Sequence, residues 1–179
     1  MAVVTEPVVF QVVGYQNSGK TTVVKQIIES LSAKRFKVAT IKHHGHGGKP
    51  DIIESKDSHQ HITSGAFASL VEGDGRILLQ AEQNSWLLDK QIQLLSSLNP
   101  NFILVEGHKS AHYPKIVLVR NTEDHVLLTK LTNIKAVFYW GNEPFECEEQ
   151  VPPYVSFHIN DSSSYEWICN FLICQIKKS

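Results

Sequence analysis

The segment Gly14-Tyr15-Gln16-Asn17-Ser18-Gly19-Lys20-Thr21-Thr22 fits the spacing G-x-x-x-x-G-K-[ST], with Gly14, Gly19, Lys20 and Thr21 in the defining places. That spacing suits a phosphate chain. Glycines let the backbone curl with its N–H groups inward, and a helix that follows presents its positive N-terminal end to the anion. Lys20 would reach the β- and γ-phosphates, and the Thr21 hydroxyl would ligate Mg²⁺. Gly14, Asn17, Ser18, Gly19, Lys20, Thr21 and Thr22 are therefore the candidate nucleotide contacts.

A second reactive group stands at Glu106, after the apolar run Phe102-Ile103-Leu104-Val105. A buried parallel strand that ends in an acid has the form of a Walker B element, whose carboxylate holds Mg²⁺ directly or through water. Glutamate in place of the more usual aspartate leaves room for a bridging water or a base role. Thr21 and Glu106 are the candidate metal ligands, and Lys20, Glu106 and Asp57 the candidate catalytic groups. Asp57 fits equally well as the N-cap of a short helix that opens at Lys56 or Asp57 and ends near Gly65. Lys42 precedes His43, His44 and His46. These imidazoles could ligate a metal, face an anionic ligand or sit in a solvated loop; their spacing and the surrounding glycines weigh against a metal.

The elements that must position these groups are legible around them. Val8 to Val13 is a strand leading into the loop, and Val23, Val24, Ile27, Ile28 and Leu31 recur at helical spacing after it. Val38-Ala39-Thr40-Ile41 reads as a strand, and so do the runs at 102–105, 116–119, 136–140 and 154–157. Ala68 to Val71 and Ile77 to Leu79 flank Glu72-Gly73-Asp74-Gly75-Arg76, a hairpin signal whose unpaired edges suggest a dimer contact. Ser85 to Leu98 is an apolar-faced helix. Ser163-Ser164-Tyr165-Glu166 offers a capping box for a final helix in which Cys169 and Cys174 belong to the packing. Strands alternating with helices imply an α/β fold, a mostly parallel sheet with helices on both faces and an inserted hairpin at about 67–81.

The chain has 179 residues, enough for a single nucleotide-binding domain over 1–179. Its net charge of −1, with nine histidines neutral, gives no reason to expect nucleic acid as a partner. Three cysteines without a Cys-x-x-Cys pair, no signal-peptide pattern and no membrane-length apolar stretch fit a cytoplasmic chain without a membrane partner.

With these pieces in place, the chain resembles the molybdopterin-guanine dinucleotide biosynthesis protein B family of P-loop NTPases. The marks are the Gly14–Thr22 loop, Lys42-His43-His44-Gly45-His46, Lys56-Asp57-Ser58 with Ser64-Gly65-Ala66, Val105-Glu106-Gly107-His108-Lys109 and Pro114-Lys115-Ile116. His108 stands where the family tends to carry an aromatic, and His59-Gln60-His61 where a basic residue often follows Lys-Asp-Ser. The resemblance implies GTP and Mg²⁺ binding, weak GTPase activity, homodimerisation, and partnership with the guanylyltransferase that joins GMP to molybdopterin. Molybdopterin is itself a further ligand to expect. Asn142-Glu143-Pro144 does not match the Asn-Lys-x-Asp guanine-reading loop, so guanine rests on the resemblance alone. No arginine finger is evident near the phosphate loop, Arg35, Arg76 and Arg120 being the only arginines, which agrees with slow hydrolysis. A small-molecule kinase and a histidine-loop metal carrier are the competing readings.

Overall fold

The computed structural model describes residues 6–43, 57–141 and 154–176, with only the backbone of Asp57. His44, His46, Asn142, Glu143 and Cys147 lie outside the described residues. The chain divides into two compact units, Met1–His43 with Gln91–Ser179, and His44–Lys90.

In the first unit, β1 (Val8–Gly14), β2 (Val38–Lys42), β5 (Phe102–Glu106), β6 (Lys115–Val119), β7 (Ile134–Tyr139) and β8 (Val155–His158) form one sheet in the order β2-β5-β1-β6-β7-β8. All five pairings are parallel. Strands covered on both faces need no apolar–polar alternation, and β5 and β6 are buried along their whole length. One face carries Phe10, Val12, Phe102, Leu104, Ile116, Leu118 and Phe138 against α1 (Lys20–Ala33) and α5 (Ser163–Ile176). The helical spacing in α1 delivers Val23, Val24, Ile27 and Leu31 to that core. The opposite face buries Val13, Val117, Val119 and Val137 under Leu127 and Leu128 of the short α4 (Val126–Lys130). This is the P-loop NTPase arrangement, helices on both faces of a parallel sheet.

Sequence periodicity marks no element between Arg120 and Ala136. The structure forms a 3₁₀ turn, Thr122–His125, and then α4, because the Asn121 side chain caps the Asp124 N–H and the run is too short to show a helical period. Two expectations for α5 need correction. The Ser163 hydroxyl donates to Asp161 at 2.7 Å, and Asp161 also accepts the Ser163 N–H at 2.9 Å, so the cap is made from outside the helix by Asp161. Cys169 is in the core, whereas Cys174 is exposed.

In the second unit, α2 (Asp57–Thr63) precedes an antiparallel pair, β3 (Ala68–Gly73) and β4 (Arg76–Ala81). Asp74 and Gly75 turn it with φ values of 49° and 75°, the two successive left-handed residues of a tight hairpin. The helix expected from Ser85 is shorter, α3 (Leu88–Ser96). No helix among the described residues is long and apolar enough to cross a membrane.

Candidate functional site

The parallel register brings the chemistry to one edge. β1 ends at Gly14 and α1 begins at Lys20, so residues 15–19 bridge a strand end and a helix start at the carboxyl edge of the sheet, where open α/β sheets place ligands. Gly14 admits no side chain, since a Cβ there would lie 2.5 Å from Ser18 Oγ and 3.1 Å from the Leu118 carbonyl. Gly19 has φ +90° and sits against the Trp140 ring. Asn17 also turns left-handed, at φ 57°.

The Lys20 ammonium donates to the Tyr15 carbonyl, folded onto its own loop. Burial pushes its pKa below the usual lysine value; the Glu106 carboxylate opposes this, and Lys109, Lys42 and Arg120 add to it. The Thr21 hydroxyl donates to Glu106 Oε1 at 2.9 Å. Lys42 Nζ lies 3.4 Å from the same oxygen and donates to Thr21 Oγ1 at 3.3 Å. Register explains the meeting: Glu106 pairs with Val12 on one side and Lys42 on the other.

The turn after β5 is held from beneath. Gln11, fully buried in β1, donates to the Gly107 and His108 carbonyls at 3.1 and 2.9 Å. A Cβ at Gly107, φ +96°, would come within 3.1 Å of the His43 side chain. The His43 and His108 rings stand 4.7 Å apart, and burial, with His43 beside it, lowers the His108 pKa. Lys115, also fully buried, donates to the Ala111 carbonyl at 2.9 Å and the Thr132 carbonyl at 2.7 Å, and burial brings it down to about 8.

On the β6 side, Arg120 reaches the loop despite its distance in sequence. Its Nη1 donates to the Gln16 carbonyl at 3.0 Å, while Nε and Nη2 hold Asp124 at 2.8 and 2.9 Å. That hydrogen bonding keeps the Asp124 carboxyl below the usual range. An arginine does therefore stand at the phosphate loop: Arg120, which by sequence could face either phosphate or solvent at the end of its strand. Lys109 Nζ lies 4.1 Å above the Tyr15 ring. Lys20, Lys42, Lys109 and Arg120 thus surround the loop, with the Glu106 carboxylate against Lys42 and the Asp124 carboxylate against Arg120. Such a field favours a polyanion.

The family profile described as molybdopterin guanine dinucleotide synthesis protein B matches residues 9–140. The chain belongs to this family. A curated relative in Bacillus subtilis, a probable molybdopterin-guanine dinucleotide biosynthesis adapter protein, is 37% identical over 173 residues, covering 96% of this chain and 97% of the relative. The solved structure of Bacillus subtilis MobB superposes with a TM-score of 0.75 at 36% identity, over 90% of this chain and 96% of that one. That of a MobB homologue from Bacillus stearothermophilus gives 0.73 at 34% identity, over 93% and 98%.

Within this MobB-family chain, Gly14, Asn17, Ser18, Gly19, Lys20, Thr21, Thr22 and Glu106 gather at one sheet edge. Asp57 is the first residue of α2 in the second unit, and its side chain lies outside the described residues. Tyr15, Lys109, Asp124 and Trp140 belong to the site's surroundings and were not singled out by sequence. Gln11 left a signal, one amide inside an apolar strand.

Proposed function

We propose that this chain is a GTP-binding adapter in molybdenum cofactor biosynthesis, assisting the attachment of GMP to molybdopterin. The adapter reading draws on the family and on the names its relatives carry. The nucleotide reading draws on one observation above the others: the Thr21 hydroxyl and Glu106 carboxylate 2.9 Å apart, at the end of a loop whose spacing fits a triphosphate. A hydroxyl and a carboxylate are hard oxygen donors, the set Mg²⁺ takes while keeping several waters. Mg²⁺ held there would neutralise phosphate charge. The loop also fits the anion: Ser18 Oγ is buried with no hydrogen-bond partner among the described residues, and Lys20 has only a loop carbonyl to release.

Any GTPase activity is slow in this reading, because three Arg120 nitrogens already hold protein oxygens. The partner is the guanylyltransferase, with molybdopterin a further ligand, and the setting is the cytoplasm. The chain acts as a homodimer. Supporting this, β3 and β4 form a two-stranded sheet on which Leu70, Val71, Leu78 and Leu79 are each more than two-fifths exposed. Leu70 pairs with Leu79 and Val71 with Leu78, so both faces of the hairpin are apolar, and such a surface invites a protein partner.

A small-molecule kinase and a metal carrier are less well supported, since the relatives are named adapters. Titration calorimetry of GTP, GDP and ATP, with and without Mg²⁺, tests the proposal. GTP binding tighter than ATP, enhanced by Mg²⁺, is the expected result; equal or reversed preference removes the guanine assignment.

A further inference from the structure

Trp140 follows β7 and lies on the phosphate loop. Its indole Nε1 donates to the Ser18 carbonyl at 3.1 Å, and its ring comes within 3.1 Å of where a Gly19 Cβ would stand. Its backbone N–H donates to the Val119 carbonyl at 3.2 Å. The residue is nevertheless 44% exposed. An indole whose one polar atom is satisfied, pinned at loop and strand with much of its surface open, is a rigid apolar platform beside an anion site.

Position in the sheet says which end of a nucleotide would meet it. Glu106 and Lys42 end β5 and β2 on one side of β1, and Trp140 follows β7, two strands away on the other side. Mg²⁺ and Lys20 serve the β- and γ-phosphates. With the phosphates towards Glu106, a nucleoside would leave the loop on the opposite side, where the indole covers Ser18 and Gly19.

We propose that Trp140 is a stacking platform for the purine of the nucleotide whose phosphates occupy the loop. The inference rests on the nucleotide-binding reading above and extends it to the base. Stacking is tolerant, because every base has a π face, so Trp140 supplies affinity for purine nucleotides in general.

The test uses the full chain and its W140A, W140L and W140F variants, titrated with GTP, ATP and inorganic tripolyphosphate. W140A and W140L should weaken GTP and ATP roughly tenfold and leave tripolyphosphate within about twofold, while W140F recovers most of the loss. W140L keeps apolar bulk on Gly19 without a flat ring, and stands in if W140A does not fold. Equal losses for all three ligands would mean that Trp140 only shapes the loop, and the platform is then wrong. Unchanged GTP and ATP affinity in W140L overturns it too. A wild-type chain that binds tripolyphosphate as tightly as GTP sinks the platform alone, whereas one that binds none of the three ligands sinks the nucleotide reading beneath it.

Discussion

The Thr21 hydroxyl and the Glu106 carboxylate, 85 positions apart in sequence, meet at 2.9 Å, with Lys42 drawn to the same carboxylate oxygen at 3.4 Å. If this pair holds Mg²⁺, Glu106→Gln should lower GTP affinity roughly tenfold with Mg²⁺ present. Without Mg²⁺ the sign reverses or vanishes, since the variant removes a negative charge that faces the phosphates. Calorimetry in Mg²⁺ and in chelator reads both arms. A variant that keeps the full Mg²⁺ enhancement would clear Glu106 of the metal role.

Lys20 sits with its ammonium on the Tyr15 carbonyl, partly desolvated and surrounded by Lys42, Lys109 and Arg120. Removing such a group relieves a buried charge as well as deleting a hydrogen bond, so its stability cost is small. Lys20→Ala should melt within a few degrees of wild type, a change of about 1 kcal/mol or less, yet bind no triphosphate at micromolar concentration. Retained micromolar GTP binding contradicts the assigned site.

The phosphate loop, its strand, its helix and the acid at the end of β5 could all be read from the sequence, because each combines a spacing with a hydrophobic period. Local pattern carries that information. Arg120 against Gln16, Lys109 over Tyr15 and Trp140 over Gly19 could not be read so. Those contacts depend on strand order, which places β5 and β6 on either side of β1 and β7 beyond β6, and no residue type within Arg120-Asn121 or Trp140-Gly141 encodes that neighbourhood. The cap of α5 was misread for a different reason. Asp161 and Ser163 are both good capping residues two positions apart, and only backbone geometry chooses between them.

Lys115 is a lysine with no exposed surface, held by two carbonyls and lowered by burial to about 8, against an unperturbed value of 10.5. Between those values the unfolded chain binds the extra proton and the folded chain does not. The contribution of Lys115 therefore makes stability rise with pH from about 8 to 10.5. Lys115→Met, which keeps the aliphatic length, should lack that rise. Urea unfolding of both proteins at alkaline pH measures it: the gap between wild type and variant should shift in favour of wild type as pH increases across the window. A gap that stays constant means that Lys115 does not release its proton early.

The hairpin makes the most exposed prediction about assembly. Val71 pairs with Leu78 across β3 and β4, on the face opposite Leu70 and Leu79, and Leu78 is 65% exposed. A glutamate in place of Leu78 removes little packing within the chain but places a charge where a second copy would bury apolar surface. Leu78→Glu should thus shift a dimer to monomer in sedimentation equilibrium, weakening association at least tenfold and leaving the melting of the monomer nearly unchanged. The same variant should still bind GTP, because the phosphate loop and Glu106 belong to the other compact unit. Wild-type protein that remains monomeric at all concentrations ends the dimer reading. A variant that loses its dimer and its GTP together would show that the second copy completes the nucleotide site.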